Sequence, residues 1–393
     1  MRIVNGTVFN EDGKFEDLEV DIQGDRIADI RSDEHEQLEG ISAFDEETID
    51  ASDCYVIPGL CDIHFHGCMS VDTCDGTLDA LREITKYEAS CGVTSVVPAT
   101  MTYPEGVLIK IAKAVREYRE NENDTEGAAT LWGINMEGPF ISMEKKGAQN
   151  PEYIEAPNYE MFHRINEASG SVVRLCDIAP EEDGAMDFIE KAKDETRISI
   201  AHTTATYEEA KAAYDMGARH LTHMFNAMPG FTHRAPGPIA AAAENEEVTP
   251  ELICDGVHVY PSAVRLAYRV FGSDRLIMIS DSMRATGLPD GEYELGGQPV
   301  TVCGREARLH DGTIAGSATN LFDCMMTAVK EMEIPLEGAI LCATRNPARA
   351  VGIYDEVGSI SVGKLADLVL VNKSDLTIKG VIVRGRSING KAR

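Results

Sequence analysis

The chain has a single Trp among 393 residues, no two cysteines in C-x-x-C spacing, no long apolar run, and only 36 Lys and Arg against 66 Asp and Glu. A membrane-spanning helix needs about 20 consecutive apolar residues, so no membrane partner is expected. The start, Met1-Arg-Ile-Val-Asn-Gly6, lacks the charged stretch and apolar segment of a secretory signal, and a cytoplasmic protein is expected. Ten Cys lie scattered, several in apolar stretches such as those of Cys176 and Cys254, which argues for free buried thiols over disulfides or a thiolate zinc site. Cys61 and Cys68, beside a His-rich stretch, read as small fillers. The formal net charge of −30 argues against binding a nucleic-acid backbone; an anionic ligand would need a local basic pocket.

Hydrophobic residues make up 43% and charged residues 26%, a globular composition, and the length is enough for a barrel-sized core. Residues 1–55 alternate apolar stretches with turn signals (Asn5-Gly6, Asp12-Gly13, Gly24-Asp25), and residues 354–393 read the same way. Each is too small to bury a core, so the two are expected to form one small β-sandwich domain together. Residues 56–353 change to a βαβ rhythm. Strands are expected over 56–66, 94–100, 131–137, 172–179, 198–203, 219–225, 252–255 and 276–281, the number of a (β/α)₈ TIM-type barrel. Helices are expected over 78–90, 105–120, 207–216 and 262–270, with Gly92 and Gly217 at C-caps and an extra helix over 159–166. Trp132 reads as core. No G-x-G-x-x-G follows the first strand to support a doubly wound sheet.

His64 and His66 end the first barrel strand two residues apart and so face one side. Glu137, His202, His223 and Asp281 end four other apolar strands. Polar residues thus gather at the carboxyl ends of strands, where such barrels build active sites. Imidazole and carboxylate without thiolate suit a divalent ion with an open position, Zn²⁺, Fe²⁺ or a related metal. Such an ion lowers the pKa of water toward about 7 and polarises carbonyls, which makes hydrolysis the expected reaction and Asp281 its proton shuttle.

These residues resemble the amidohydrolase superfamily, with Pro58-Gly-Leu-Cys-Asp-Ile-His-Phe-His-Gly67 similar to its entry motif and 358–370 to its exit motif. Within it, the chain is most similar to the N-acetylglucosamine-6-phosphate deacetylases. That similarity rests on Glu137-Gly-Pro-Phe-Ile, Lys145-Lys-Gly-Ala, Ala201-His-Thr, His223-Met-Phe-Asn-Ala-Met228, His233-Arg-Ala-Pro-Gly237, Asp255-Gly-Val-His258, Ser280-Asp-Ser and Asp311-Gly-Thr-Ile-Ala-Gly-Ser317. The resemblance implies Glu137, His202 and His223 as primary metal ligands, His64 and His66 as ligands of a second ion bridged by Glu137, and Asp281 as catalytic acid and base. It implies an amino-sugar phosphate substrate held by Asn226, Ala227, Ala148, Gln149, Arg234 and His258, with His258 reaching across a homodimer interface. Gln149 departs from the family pattern, which often has His there against the sugar. Deamination or cyclic-amide opening, and a non-catalytic metal-binding scaffold, stay open as alternatives. Arg234 with His258 is the feature that separates a phosphorylated substrate from a nucleobase-like one.

Overall fold

The expected strand over 56–66 breaks at Gly59. Before it, Cys54–Pro58 pairs antiparallel with Leu368–Asn372 and parallel with Arg2–Phe9; after it, Leu60–Asp62 pairs parallel with Val93–Val96 and begins a barrel. The structure, a computed structural model, describes residues 1–32, 47–121, 123 and 125–388. Parts of the two terminal segments, 33–46 and 389–393, lie outside the described residues.

Strands from both terminal segments hydrogen-bond into one eight-stranded sheet. Its order is Arg386–Ile388, Ile378–Val383, Leu368–Asn372, Cys54–Pro58, Arg2–Phe9, Phe15–Gln23, Arg26–Ser32, with Thr48–Asp50 also paired to Arg2–Phe9. Alternation places Ile3, Val8, Val20, Val56, Leu368 and Ile382 in a core of their own, while Ile57, Val369, Val371 and Val381 face the barrel's outer layer.

The barrel strands are Leu60–Asp62, Val93–Val96, a third in two pieces (Thr130–Leu131 and Ile134–Met136), Val173–Ile178, Arg197–Ile200, His220–Leu221, Thr249–Ile253 and Ile277–Ile279, all parallel. Asn135 joins the second strand's end to the third, exchanging bonds with Pro98 and Thr100. The ring closes where Asp281 N donates to His64 O and His66 N to Ser282 O. Ile277 and Ile279 point into the barrel with Cys61, Val97, Leu175 and Ile253, whereas Met278 points outward to the helices. A helix follows every strand, so the helix expected as an extra one, Tyr159–Ser169, is the third barrel helix itself. Gly92 and Gly217 follow helices at φ 83° and 143°. Trp132 is half-buried rather than core, its indole N–H donating to Ser95 Oγ at 3.1 Å.

One element was not expected: an antiparallel sheet of Gly291–Leu295, Gln298–Cys303 and Glu306–Leu309, inserted after the eighth strand. It packs Leu295, Val300 and Val302 on Met101 and Met283, and Gln298 Nε2 donates to Ala148 O at 2.5 Å. The mouth is therefore walled on one side by strands that belong to neither barrel nor terminal sheet. All ten cysteines are free thiols, and among the described residues no helix is long and apolar enough to cross a membrane.

Gly59 allows the two sheets to meet. A Cβ there would lie 2.1 Å from Thr94 Oγ1 and 2.6 Å from Thr94 Cγ2, and its N–H donates to Asp367 O at 2.8 Å. Gly59→Ala is expected to destabilise the fold by about 1–3 kcal/mol through overpacking, read as a lower denaturation midpoint; an unchanged midpoint would show that Thr94 yields without cost.

Candidate metal centre

Beyond the fifth, sixth and eighth barrel strands the backbone turns left-handed at residues with side chains: φ is 42° at His202, 28° at His223 and 51° at Asp281. Such conformations cost of order 1–3 kcal/mol each and persist where surroundings over-determine them. Here each one swings a strand-end side chain inward over the barrel axis. The first strand supplies its pair without such a turn, since His64 and His66 lie just past Asp62 and neither has a positive φ, and Glu137 follows the third strand directly.

The six side chains gather in two triads, His64, His66 and Asp281, and Glu137, His202 and His223; within each triad the ligand atoms lie within 4.8 Å of one another. Glu137 faces both. Its Oε1 lies 3.0 Å from His202 Nε2, 3.2 Å from His223 Nε2 and 3.5 Å from His64 Nε2, and its Oε2 lies 3.4 Å from His66 Nε2. Asp281 Oδ1 lies 3.2 Å from His66 Nε2 and 3.9 Å from His64 Nε2.

The opposite ring edges decide what these nitrogens can do. His202 Nδ1 is 2.8 Å from the Lys145 carbonyl, which can only accept, so Nδ1 carries the proton and Nε2 keeps its lone pair. His64 Nδ1 is 2.9 Å from Glu251 Oε2, with the same result, and His64 Nε2 is buried without a hydrogen-bond partner. Lone pairs from His64 and His202 thus converge on a carboxylate oxygen, and His223 Nε2 sits 3.1 Å from His202 Nε2. A cation satisfies such a set, and the donors, imidazole and carboxylate with no thiolate, fit a catalytic divalent metal site. Burial works to raise the Asp281 carboxyl, but its hydrogen bond with His66 opposes this, and the carboxyl is held below the usual range. It is therefore an ionised acceptor.

The amidohydrolase family model matches residues 55–388. The chain belongs to the amidohydrolase family. Among relatives of this family, it is 38% identical over 343 residues to N-acetylglucosamine-6-phosphate deacetylase of Bacillus subtilis (strain 168), covering 87% of this chain and 86% of that one. It is 33% identical to the Vibrio furnissii enzyme of the same name, over 93% and 92% of the two chains. A mutant N-acetyl-D-glucosamine-6-phosphate deacetylase of Mycobacterium smegmatis, solved with N-acetyl-D-glucosamine-6-phosphate, superposes with a TM-score of 0.89 at 31% identity over 98% of each chain.

Above this amidohydrolase centre lies a cavity of about 250 Å³ lined by His66, Glu137, His202, His223 and Asp281 at its base. His64 is fully buried beneath it. Asn226, Ala227, Ala148, Gln149 and His258 also line the cavity, as do Met101, Leu295 and Ile314, which sequence reasoning missed. Leu295 comes from the inserted sheet, and Ile314 from the segment that follows it, bridged to Arg308.

The structure adds to the reading of three residues. Gln149 lines the cavity but its amide is also engaged with the metal centre: its Oε1 accepts from Thr102 N at 2.7 Å and its Nε2 donates to Glu137 Oε2 at 2.8 Å, so it braces the shared carboxylate. Arg234 is exposed and absent from the cavity lining, because residues 231–235 form an exposed outward turn closed by Thr232 and Ala235. His258 lines its own chain's cavity, with a side chain only 6% exposed. The expected Arg234–His258 pair is thus split within one chain.

Asp255 holds His258. The carboxylate lies 2.7 Å from His258 Nδ1 and also accepts from the backbone N–H groups of Val257 and His258. Burial opposes charge on both groups, yet the pair prevails: His258 is raised above 6.5 and Asp255 lowered below 3.8. The raised histidine stabilises fully below 6.5 and loses its contribution as pH climbs through its folded value; the lowered aspartate stabilises above 3.8 and loses its contribution on acidification. Asp255→Asn should therefore lower the urea midpoint most between about pH 4 and 6.5 and progressively less as alkaline pH deprotonates His258. A deficit that does not shrink on the alkaline side would show that His258 is neutral beside Asp255.

Proposed function

We propose that this chain hydrolyses the acetamide of N-acetylglucosamine 6-phosphate to glucosamine 6-phosphate and acetate, using one or two divalent ions, Zn²⁺ or Fe²⁺. The observation that carries the reading is Glu137 shared between two ligand triads at the floor of a cavity, with the ionised Asp281 beside them. Glu137, His202 and His223 would hold one ion, and His64 and His66 with Asp281 and the second oxygen of Glu137 the other. Such an ion, when bound, supplies Lewis-acid polarisation of the amide carbonyl and a lowered pKa for water.

The chain's own groups do the rest. The Asp281 carboxylate takes the proton of the attacking water and returns it to the amide nitrogen, so that the amine can leave. Met101, Leu295 and Ile314 give the cavity apolar walls suited to excluding bulk water around an acetyl group. His258, kept cationic by Asp255, is the charge available within the chain to a sugar phosphate, with Asn226 and Ala227 on the same wall. Arg234, exposed and outside its own cavity, suits a homodimer in which it serves the other copy's phosphate. The same reading treats 1–55 and 354–393 as a small β-sandwich domain around the barrel of 56–353, in keeping with its separate core, and the protein as cytoplasmic.

Acetate release from N-acetylglucosamine 6-phosphate should vanish on chelation and return with Zn²⁺, Fe²⁺, Mn²⁺ or Co²⁺, and unphosphorylated N-acetylglucosamine should be much the poorer substrate. Equal rates on both sugars would remove the phosphate assignment, and no acetate with any metal would reject the substrate. Asp281→Asn should cut kcat by about 10²–10⁴-fold while KM changes little; near-wild-type turnover would end its assigned role.

A further inference from the structure

Below the metal centre, on the seventh barrel strand, Glu251 is completely buried and its carboxylate is bound on every side. Oε2 lies 2.9 Å from His64 Nδ1 and accepts from the backbone N–H of His223 at 3.1 Å. Oε1 lies 3.0 Å from His220 Nε2, and His220 Nδ1 is in turn 2.8 Å from Thr249 Oγ1. The backbone carbonyl of Glu251 also accepts from Met224 N at 2.9 Å. Glu251 therefore grips two successive N–H groups at the turn where His223 stands at φ 28°, and with the same oxygen it fixes the ring of His64, in the opposite triad.

We propose that Glu251 is a positioning residue that couples the two triads. One carboxylate selects the His64 tautomer that aims Nε2 at Glu137 and holds the strained turn that presents His223, while His220 locks that carboxylate in place. Packing alone does not explain an acid here, because a buried ionic group is often replaced by apolar residues of similar size without loss of stability. The inference rests on reading both triads as metal ligands and adds that their occupancy depends on one shared support.

The test is equilibrium titration of the chelator-stripped full-length chain with Co²⁺, counting ions per chain and recording the visible spectrum alongside melting of the metal-free protein. The wild type should bind two ions. Glu251→Gln keeps the shape but cannot accept from both His64 and His223 on one oxygen while also receiving His220 on the other. It should weaken both ions together by about 10–100-fold and change the Co²⁺ absorption bands, whereas His66→Ala should lose one ion and leave the other. Glu251→Gln with wild-type affinity for both ions, or with only one ion weakened, overturns the coupling. Should that variant fail to fold, His220→Gln decides: a smaller parallel loss at both ions supports the proposal, and a lowered melting temperature with unchanged Co²⁺ affinities refutes it. A wild-type chain that takes up no Co²⁺ removes the metal reading beneath it, an outcome distinct from any failure of Glu251.

Discussion

Glu137 meets three imidazoles with one oxygen and a fourth imidazole and an amide with the other, and much of the mouth's architecture follows from keeping those groups together. Lone pairs facing a carboxylate at 3.0–3.5 Å repel unless a cation lies among them. The scaffold must therefore hold the ring orientations from behind, and it does so with a different device for each: the Lys145 carbonyl for His202, Glu251 for His64 and Gln149 for Glu137 itself. The left-handed backbones at His202, His223 and Asp281 belong to the same constraint, because an extended continuation of each strand would carry the side chain past the axis.

A second constraint is electrostatic. The chain carries a formal charge of −30, yet the proposed substrate is an anion. Long-range attraction then works against binding, and selectivity must come from short-range groups. Asp255 and His258 suit that role, since the buried carboxylate spends its charge on fixing an imidazolium that faces the cavity.

Ligand residues were legible because two periodicities are local: the i, i+2 spacing of His64 and His66, and the repeated placement of a polar residue where an apolar strand ends. The supporting residues were harder to see. The bracing role of Gln149 was not legible because its partners, Thr102 N and Glu137, meet it only in three dimensions. His220 and Glu251 left a trace, an imidazole and a carboxylate embedded in apolar strands, which in a barrel marks an inward-facing polar group needing a partner. The inserted sheet also left one, since Gly296-Gly297 between the alternating 291–295 and 298–303 is a two-residue hairpin signal. Arg234 and His258 show the limit: both sit in loops after barrel strands, and nothing local to either loop says which one folds back over the mouth.

The eight-stranded terminal sheet has a consequence for how the chain reaches this state during synthesis. Cys54–Pro58 leads directly into the first barrel strand, yet its antiparallel neighbour is Leu368–Asn372, which is made only after every barrel strand. Until then its hydrogen-bonding edge on that side stays open, and open edges invite pairing with other chains. The first barrel strand, with His64 and His66 beyond it, therefore leaves a strand that is still unpaired on that side while the barrel is being made. All six ligand residues, the last of them Asp281, are made before those strands, so a nascent chain holds its complete ligand set while the terminal sheet is still unfinished.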